Sequence, residues 1–360
     1  MIGICVIYLC ADEAGEFLAQ KSIEQIKKHT WGEYRIYGYA PRASESFLKT
    51  LKRSGIIYLP EREVAEEVKK LQSEEPTKQQ MKEHSFLLNK LVSHAFEDGC
   101  DFAAAFDMDS WPAMSGWDLF YSRMLSDQTP VAGIVRTELN DNFPHGAFIL
   151  LAKSFWKPES SSFCADQTRS LSRRPGETGG GILDQLANER KTLLRLERTN
   201  QWNLHRVMAG LYDDAIFHFG AGSRNPRFIT DVEQYGLNNA PMHREFADDM
   251  NAAIRKHILI ALRDNYDEFI RQLAGGDLAA FEPIPTEAWC IPPQLEHTVR
   301  SARSSCPPPT NPFPRTPEIA TPSAGLSLEI SRIRKLRHAI LRRLNKFRFF
   351  RRLLAFYRAR

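Results

Sequence analysis

The sequence is short of the features that most quickly identify a protein. No stretch of its 360 residues approaches the ~18 uncharged apolar residues of a membrane-spanning helix. The N-terminus lacks a basic leader, and its apolar run from Ile2 to Leu9 is strand-length and leads into Asp12 and Glu13. It therefore reads as no signal peptide and predicts a chain kept in the cytosol. The six cysteines (Cys5, Cys10, Cys100, Cys164, Cys290, Cys306) form no C-x-x-C pair and none stands beside a ligand-spaced histidine. They read as reduced, mostly small core fillers, which excludes a disulfide scaffold and argues against a cysteine zinc site. No G-x-G-x-x-G follows the first strand, and the Gly179-Gly180-Gly181 run lacks the lysine of a P-loop, so both common nucleotide motifs are excluded. Neither a G-x-S-x-G elbow nor H-E-x-x-H occurs, and there is no internal repeat.

What remains is a chain of ordinary globular composition, 42% hydrophobic and 26% charged. Its charge is uneven. Residues 327–360 hold twelve Lys or Arg against the single acid Glu329, a segment of +11 in a chain of +4, leaving a mildly acidic body of −7. Eleven of the 21 prolines fall between Pro283 and Pro322. Prolines at that density prevent helix and sheet, so residues 283–325 are expected to be a flexible Pro/Ser-rich linker. Beyond it, Ile333, Leu336, Ile340, Leu344, Phe347, Leu354 and Tyr357 recur at helical steps among the cations. A basic amphipathic helix over 326–360 follows, and its Phe and Leu content favours an anionic membrane surface over a nucleic-acid arm or a partner helix.

Residues 1–282 alternate strand and helix patterns. Ile2 to Leu9, Tyr34 to Tyr39, Ile56 to Leu59 and Asp101 to Phe106 read as strands. Asp12 to His29, Ser44 to Arg53 and Lys82 to Glu97 read as helices. That alternation predicts an α/β domain with a largely parallel sheet covered by helices, and ligands then bind beyond the carboxyl ends of the strands.

At one such end stands Phe102-Ala-Ala-Ala-Phe-Asp107-Met-Asp109-Ser-Trp-Pro112. Carboxylates at i and i+2 share a face of an extended chain and repel each other unless a cation lies beside them. Mg²⁺ or Mn²⁺ prefers one or two carboxylates together with phosphate oxygens. The same D-x-D tripeptide also serves as a solvated turn. A second chemistry fits it too: Asp107 as the nucleophile of a haloacid-dehalogenase-like phosphatase, with Asp213-Asp214 as the late acidic pair. A non-catalytic membrane adaptor is the third reading.

Downstream lie Phe143-Pro-His145-Gly146, then Gly176-Glu177-Thr-Gly-Gly-Gly-Ile-Leu-Asp184, then Tyr212-Asp-Asp-Ala-Ile-Phe-His218-Phe-Gly220-Ala-Gly-Ser-Arg224. With His84-Ser85-x-x-Leu88-Asn89 ahead of the D-x-D strand, this ordered set resembles bacterial, family-2-like glycosyltransferases of GT-A type over roughly residues 2–240. The resemblance implies a GT-A-like nucleotide-diphospho-sugar transferase fold with a Rossmann-like mixed sheet. It also implies a nucleotide-sugar donor and a glycan or lipid-linked acceptor. A cytosolic location with a membrane-surface helix points further to cell-surface polysaccharide synthesis, and the Phe and Leu content of that helix to no nucleic-acid partner. Asp109 matches the direct ligand of Mn²⁺ or Mg²⁺, and His218 the later histidine completing the metal site. Asp107 matches the carboxylate that faces the ribose or reaches the metal through water.

Other assignments stay open between a role in the site and a structural one. Arg224 is a candidate for the diphosphate, and Asn89 and Ser85 border the nucleotide by resemblance. Glu177, in a Gly-rich turn opening a helix, is the candidate base that takes a proton from the acceptor, and Asp184 is the reserve. Each also reads as a cap or a surface group. Trp111, Trp156 and Trp202 could stack on sugar rings or pack in the core.

Overall fold

The computed structural model describes residues 1–8, 10, 12–40, 43–59, 64, 76–139, 141–165, 170–172, 177–200, 208–220 and 241–275. The chain divides into two units, Met1–Pro309 and Thr310–Arg360, and every described residue belongs to the first. The linker at 283–325, the basic helix at 326–360, Trp202 and Arg224 lie outside the described residues.

The apolar run at the N-terminus forms β1 (Ile2–Ile7), buried along its whole length. Helix α1 (Glu13–His29) starts where Asp12 accepts the Gly15 N–H at 2.7 Å. Strand β2 (Tyr34–Tyr39) precedes α2 (Glu45–Arg53), which is capped in the same way by Ser44. The short β3 (Ile57–Tyr58) follows. Helix α3 (Pro76–Glu97) begins six residues ahead of the expected Lys82. Proline is at home in a first helical turn, and the polar Thr77–Gln80 stretch gives no apolar periodicity to read. Then come β4 (Phe102–Asp107), β5 (Ser110–Pro112), α4 (Trp117–Met124), β6 (Val131–Ile134) and β7 (Phe148–Ala152). The remaining elements are α5 (Gly180–Asn188), β8 (Leu193–Leu196), β9 (Gly210–Tyr212), β10 (Ile216–His218), α6 (Pro241–Asp264) and α7 (Tyr266–Gly275).

Seven strands form one sheet in the order β3-β2-β1-β4-β7-β6-β8. It is mixed, because β7 runs antiparallel to both β4 and β6 while the other pairs are parallel. Alternating residues of the central strands feed two cores. Ile2, Ile4 and Val6 of β1, Ala104 and Phe106 of β4, and Phe148 and Leu150 of β7 pack with α1, α2 and α4. Cys5, Ile7, Ala103, Ala105, Ile149 and Leu151 pack on the other face with α3 and α5. Small residues let α3 lie close: a Cβ on Gly3 would stand 2.5 Å from the Ala95 methyl.

A second, three-stranded antiparallel sheet runs β5-β10-β9. Trp111, Phe217 and Phe219 pack with Leu18 against Ile254, Ile258 and Leu262 of α6 and Phe269 and Leu273 of α7. The reversal of β7 has a positional effect. Phe106 pairs with Phe148, so β7 begins where β4 ends. The connection from β6 to β7 therefore emerges at the carboxyl edge of β1 and β4, beside the D-x-D residues.

Candidate active site

Asp107 is the last residue of β4, and Asp109 lies in the two-residue turn to β5. Ser110, the next residue, pairs with His218 at the end of β10, and the Phe219 N–H donates to the Asp109 carbonyl at 2.8 Å. Strand pairing thus brings a histidine more than a hundred residues away beside the carboxylates. His218 Nε2 is 3.7 Å from Asp109 Oδ1, and both side chains are buried. One ligand atom from each of Asp107, Asp109 and His218 lies within 4.8 Å of the others.

The chemistry of this donor set fits a divalent cation. Two carboxylates and an imidazole suit Mn²⁺ or Mg²⁺ with open positions for phosphate oxygens. His218 Nδ1 is buried with no hydrogen-bond partner among the described residues. A buried, unpaired ring nitrogen is costly in a purely structural histidine.

Two further histidines surround the pair. His84 of α3 places Nε2 3.3 Å from Asp107 Oδ1. His145 lies in the β6–β7 connection, its ring centroid 5.7 Å from that of His218. Its Nδ1 accepts the Ala147 N–H at 3.1 Å, which leaves the proton of the neutral ring on Nε2. Burial by itself would raise the Asp107 pKa. The hydrogen bond and charge of His84, aided by His145 and His218, outweigh burial and hold the carboxyl well below the usual range. Burial, then the charge of Arg136, pushes the His145 pKa well down.

Glu177 is half-buried and its carbonyl accepts the Gly180 N–H at 3.2 Å at the start of α5. Its charge acts on that of Arg136, a buried guanidinium whose Nε donates to Asp141 at 2.8 Å. Burial would lower the basicity of Arg136, but Asp141, Glu177, Tyr212 and Glu138 more than offset it.

The Gly179-Gly180-Gly181 run is required by close approach. Gly179 has φ +106°, and a Cβ there would stand 1.7 Å from the Pro144 carbonyl oxygen. A Cβ on Gly181 would stand 2.3 Å from the Ser162 carbonyl oxygen. The run seats α5 against the β6–β7 connection, which holds the Glu177 loop at the same edge as Asp107.

Other candidates are engaged elsewhere. The Asn89 amide donates to Ser162 Oγ at 3.2 Å and accepts the Phe163 N–H at 2.9 Å, so it ties α3 to a loop. Asp184 accepts the Leu171 N–H at 2.8 Å. Ser85 is buried against Thr178. Trp111 is fully buried and donates to Tyr266 Oη, and Trp156 packs on Phe96 and Phe163 while donating to Ser93. Both are core residues. Asp213 accepts from Tyr121 Oη and Asp214 from Thr199 Oγ1 in the tight turn between β9 and β10, which commits the pair that a phosphatase reading would use. His84, His145, Arg136 and Thr178 carry no site role in the sequence reading. His84 had one legible sign: it continues the buried stripe of Leu87, Leu88, Leu91 and Ala95 one turn toward the N-terminus, where an apolar residue is the norm.

No protein-family model matches the chain, and no curated protein matches it. Among solved structures it is similar to the mannosyltransferase PcManGT from Pyrobaculum calidifontis in complex with GDP-Man and Mn²⁺. The identity is 10%, with 84% of this chain and 86% of that one covered and a TM-score of 0.37. S. aureus TarS 1-349 matches at 8% identity over 84% of this chain and 87% of that one, with a TM-score of 0.35. Mouse xyloside xylosyltransferase 1 matches at 9% identity over 44% of this chain and 73% of that one, with a TM-score of 0.34.

Proposed function

We propose that the chain is a metal-dependent glycosyltransferase that moves a sugar from a nucleotide-sugar donor to a glycan or lipid-linked acceptor. The observation that carries this reading is the convergence of Asp107, Asp109 and His218 at the carboxyl edge of the sheet. Asp109 and His218 would hold Mn²⁺ or Mg²⁺ with Asp107 assisting. Bound there, such an ion neutralises the charge that develops on a diphosphate leaving group.

The protein's own part is positioning and proton transfer. The acceptor hydroxyl oxygen forms the new bond to the anomeric carbon, and the bond from that carbon to the diphosphate oxygen breaks with its electron pair leaving on the diphosphate. In an inverting transfer the hydroxyl proton passes to a carboxylate, and Glu177 is assigned that role. Asp184, occupied by the Leu171 amide, is the weaker candidate. The negative charge of Glu177 is one of those that raise the basicity of Arg136.

Among the described residues no helix is long and apolar enough to cross a membrane. Attachment to an anionic inner membrane surface through residues 326–360, a cytoplasmic location and a place in cell-surface polysaccharide assembly belong to this proposal. They rest on the sequence of that segment.

A thermal-shift panel of nucleoside diphosphates with and without Mn²⁺, on wild type and Asp109→Ala, tests the reading. A ligand that binds the folded state raises the melting temperature through linkage. The expected result is a rise with one nucleotide that needs both Mn²⁺ and Asp109. A rise that is unchanged in Asp109→Ala would overturn the metal assignment.

A further inference from the structure

Four side chains form a continuous line of polar contacts from the D-x-D motif to the loop that carries Glu177. His84 Nε2 is 3.3 Å from Asp107 Oδ1, and His84 Nδ1 is 3.1 Å from Thr178 Oγ1. Thr178 Oγ1 is in turn 3.2 Å from Ser85 Oγ. A carboxylate only accepts, so the His84 nitrogen that faces Asp107 is the one that carries a proton. Thr178 Oγ1 stands between His84 Nδ1 and Ser85 Oγ and can donate to one while accepting from the other. Thr178 and Ser85 are buried, so each would leave an unpaired polar atom if the line were cut.

A second observation places the same groups against one another. Gly146 of the β6–β7 connection lies between them: a Cβ there would stand 3.1 Å from the Thr178 methyl and 3.3 Å from Asp107 Oδ1. Asp107 and the Thr178 loop are therefore packed through a position with no side chain of its own, and His84 is the group that touches both, through Nε2 on Asp107 and a hydrogen bond from Nδ1 to Thr178.

We propose that His84 is a positioning residue, holding the Asp107 carboxylate in the orientation the metal site needs and tying it through Thr178 to the loop that bears Glu177. The metal half of this statement rests on the proposed function above, whereas the tie to the loop does not. Neighbours that orient ligating carboxylates are commonly worth 10–100-fold in metal affinity.

The test uses the full chain and two readouts besides activity. The first is the Mn²⁺ dissociation constant by equilibrium dialysis. The second is amide hydrogen exchange of residues 177–183 in metal-free protein. His84→Phe is expected to weaken Mn²⁺ about tenfold or more and to speed exchange in 177–183. His84→Gln retains an amide N–H at the Nε2 position and should recover most of the affinity, while Thr178→Val should speed exchange and leave Mn²⁺ binding near that of wild type. Melting curves confirm that each variant is folded, and a variant that fails to fold is judged through the Gln and Val substitutions. Unchanged exchange in metal-free His84→Phe would overturn the tie. An affinity in His84→Gln no better than in His84→Phe would overturn the positioning of Asp107. If wild type binds no Mn²⁺, the proposed function is what fails, and the tie stands or falls on exchange alone.

Discussion

The two sheets of this protein are built on different terms. The seven-stranded sheet rests on the six-residue strands β1, β2 and β4, largely buried, whose register is repeated residue by residue. The three-stranded sheet has strands of three residues each and is held by particular side chains. Ser110 Oγ donates to the Phe217 carbonyl at 2.9 Å, and Asn200 bridges the Ala209 carbonyl and the Leu211 N–H. Tyr212 Oη donates to Glu138 at 2.6 Å, and Asp213 and Asp214 both adopt left-handed backbone. The large sheet would tolerate many apolar sequences, whereas the small one needs these residues. The candidate metal site takes Asp107 from the first, His218 from the second and Asp109 from the turn between them. Its geometry is therefore as secure as the smaller sheet.

Core truncations give the largest effect and the sharpest contrast. Trp111→Ala, in β5, and Leu150→Ala, in β7, should each cost about 2–5 kcal/mol in denaturant unfolding. Trp111→Ala should also abolish Mn²⁺ binding in the fraction that stays folded, because Asp109 is anchored through β5. Leu150→Ala should retain it. Equal Mn²⁺ affinity in the two variants would erase the distinction between the sheets.

Next in size is Tyr212→Phe. It removes the hydroxyl that satisfies a buried Glu138 carboxylate, whose other oxygen has no hydrogen-bond partner among the described residues. A loss of about 1–3 kcal/mol is expected from urea melts, with the large-sheet amides still among the slowest to exchange. Ser110→Ala should cost about 1 kcal/mol and speed exchange at the small sheet first, since its hydroxyl joins β5 to β10.

The smallest effect belongs to the large-sheet side and is a pH dependence. Glu189, at the end of α5, accepts from Lys157, Gln185 and Lys191. Burial would raise its pKa, but these partners outweigh burial and lower it from 4.5 to about 2. A depressed carboxyl stabilises the fold above its unfolded pKa and loses that contribution as pH falls through the folded value. Melting temperature measured from pH 5 down to 2 should fall less steeply in Glu189→Gln than in wild type, and added salt should narrow the gap. Superimposable acid limbs would show that the cluster contributes nothing.

Legibility follows the same division. Strand β2 stands where its apolar pattern places it, and Asp12 and Ser44 act as helix caps at the starts read from sequence. Strands β5, β9 and β10 are too short for a period of two to be visible, and β5 finds its partner β10 only through a contact across the chain. Asp107, Asp109 and His218 are nonetheless singled out by residue type and order, as a D-x-D turn and a later strand-terminal histidine, and the structure brings the three together. His84 is not, since one histidine on the stripe of a helix looks like any other buried position until Asp107 is seen opposite. Asn89 is the converse case: the sequence leaves it open between a nucleotide contact and a structural group, and in the structure its amide is held by Ser162 and Phe163. The β6–β7 connection, with Arg136, His145 and Gly146, reaches the site only because β7 runs backwards in the sheet, and nothing in its own sequence announces that direction.

The pairing of Ser110 with His218 also sets an order of events during synthesis. Chains emerge from the N-terminus, and a contact between distant segments waits for both to exist. Strands β1, β2 and β4 can pair once about a hundred residues are out, which exposes Asp107 and Asp109 at a finished edge with no imidazole to complete it. β10 arrives more than a hundred residues later, and α6 and α7, which cover the small sheet, later still. A nascent chain therefore carries the two acids long before the imidazole that completes the candidate cation site, and under the proposed function a ribosome-bound fragment ending before residue 210 should fold its large sheet yet remain indifferent to Mn²⁺.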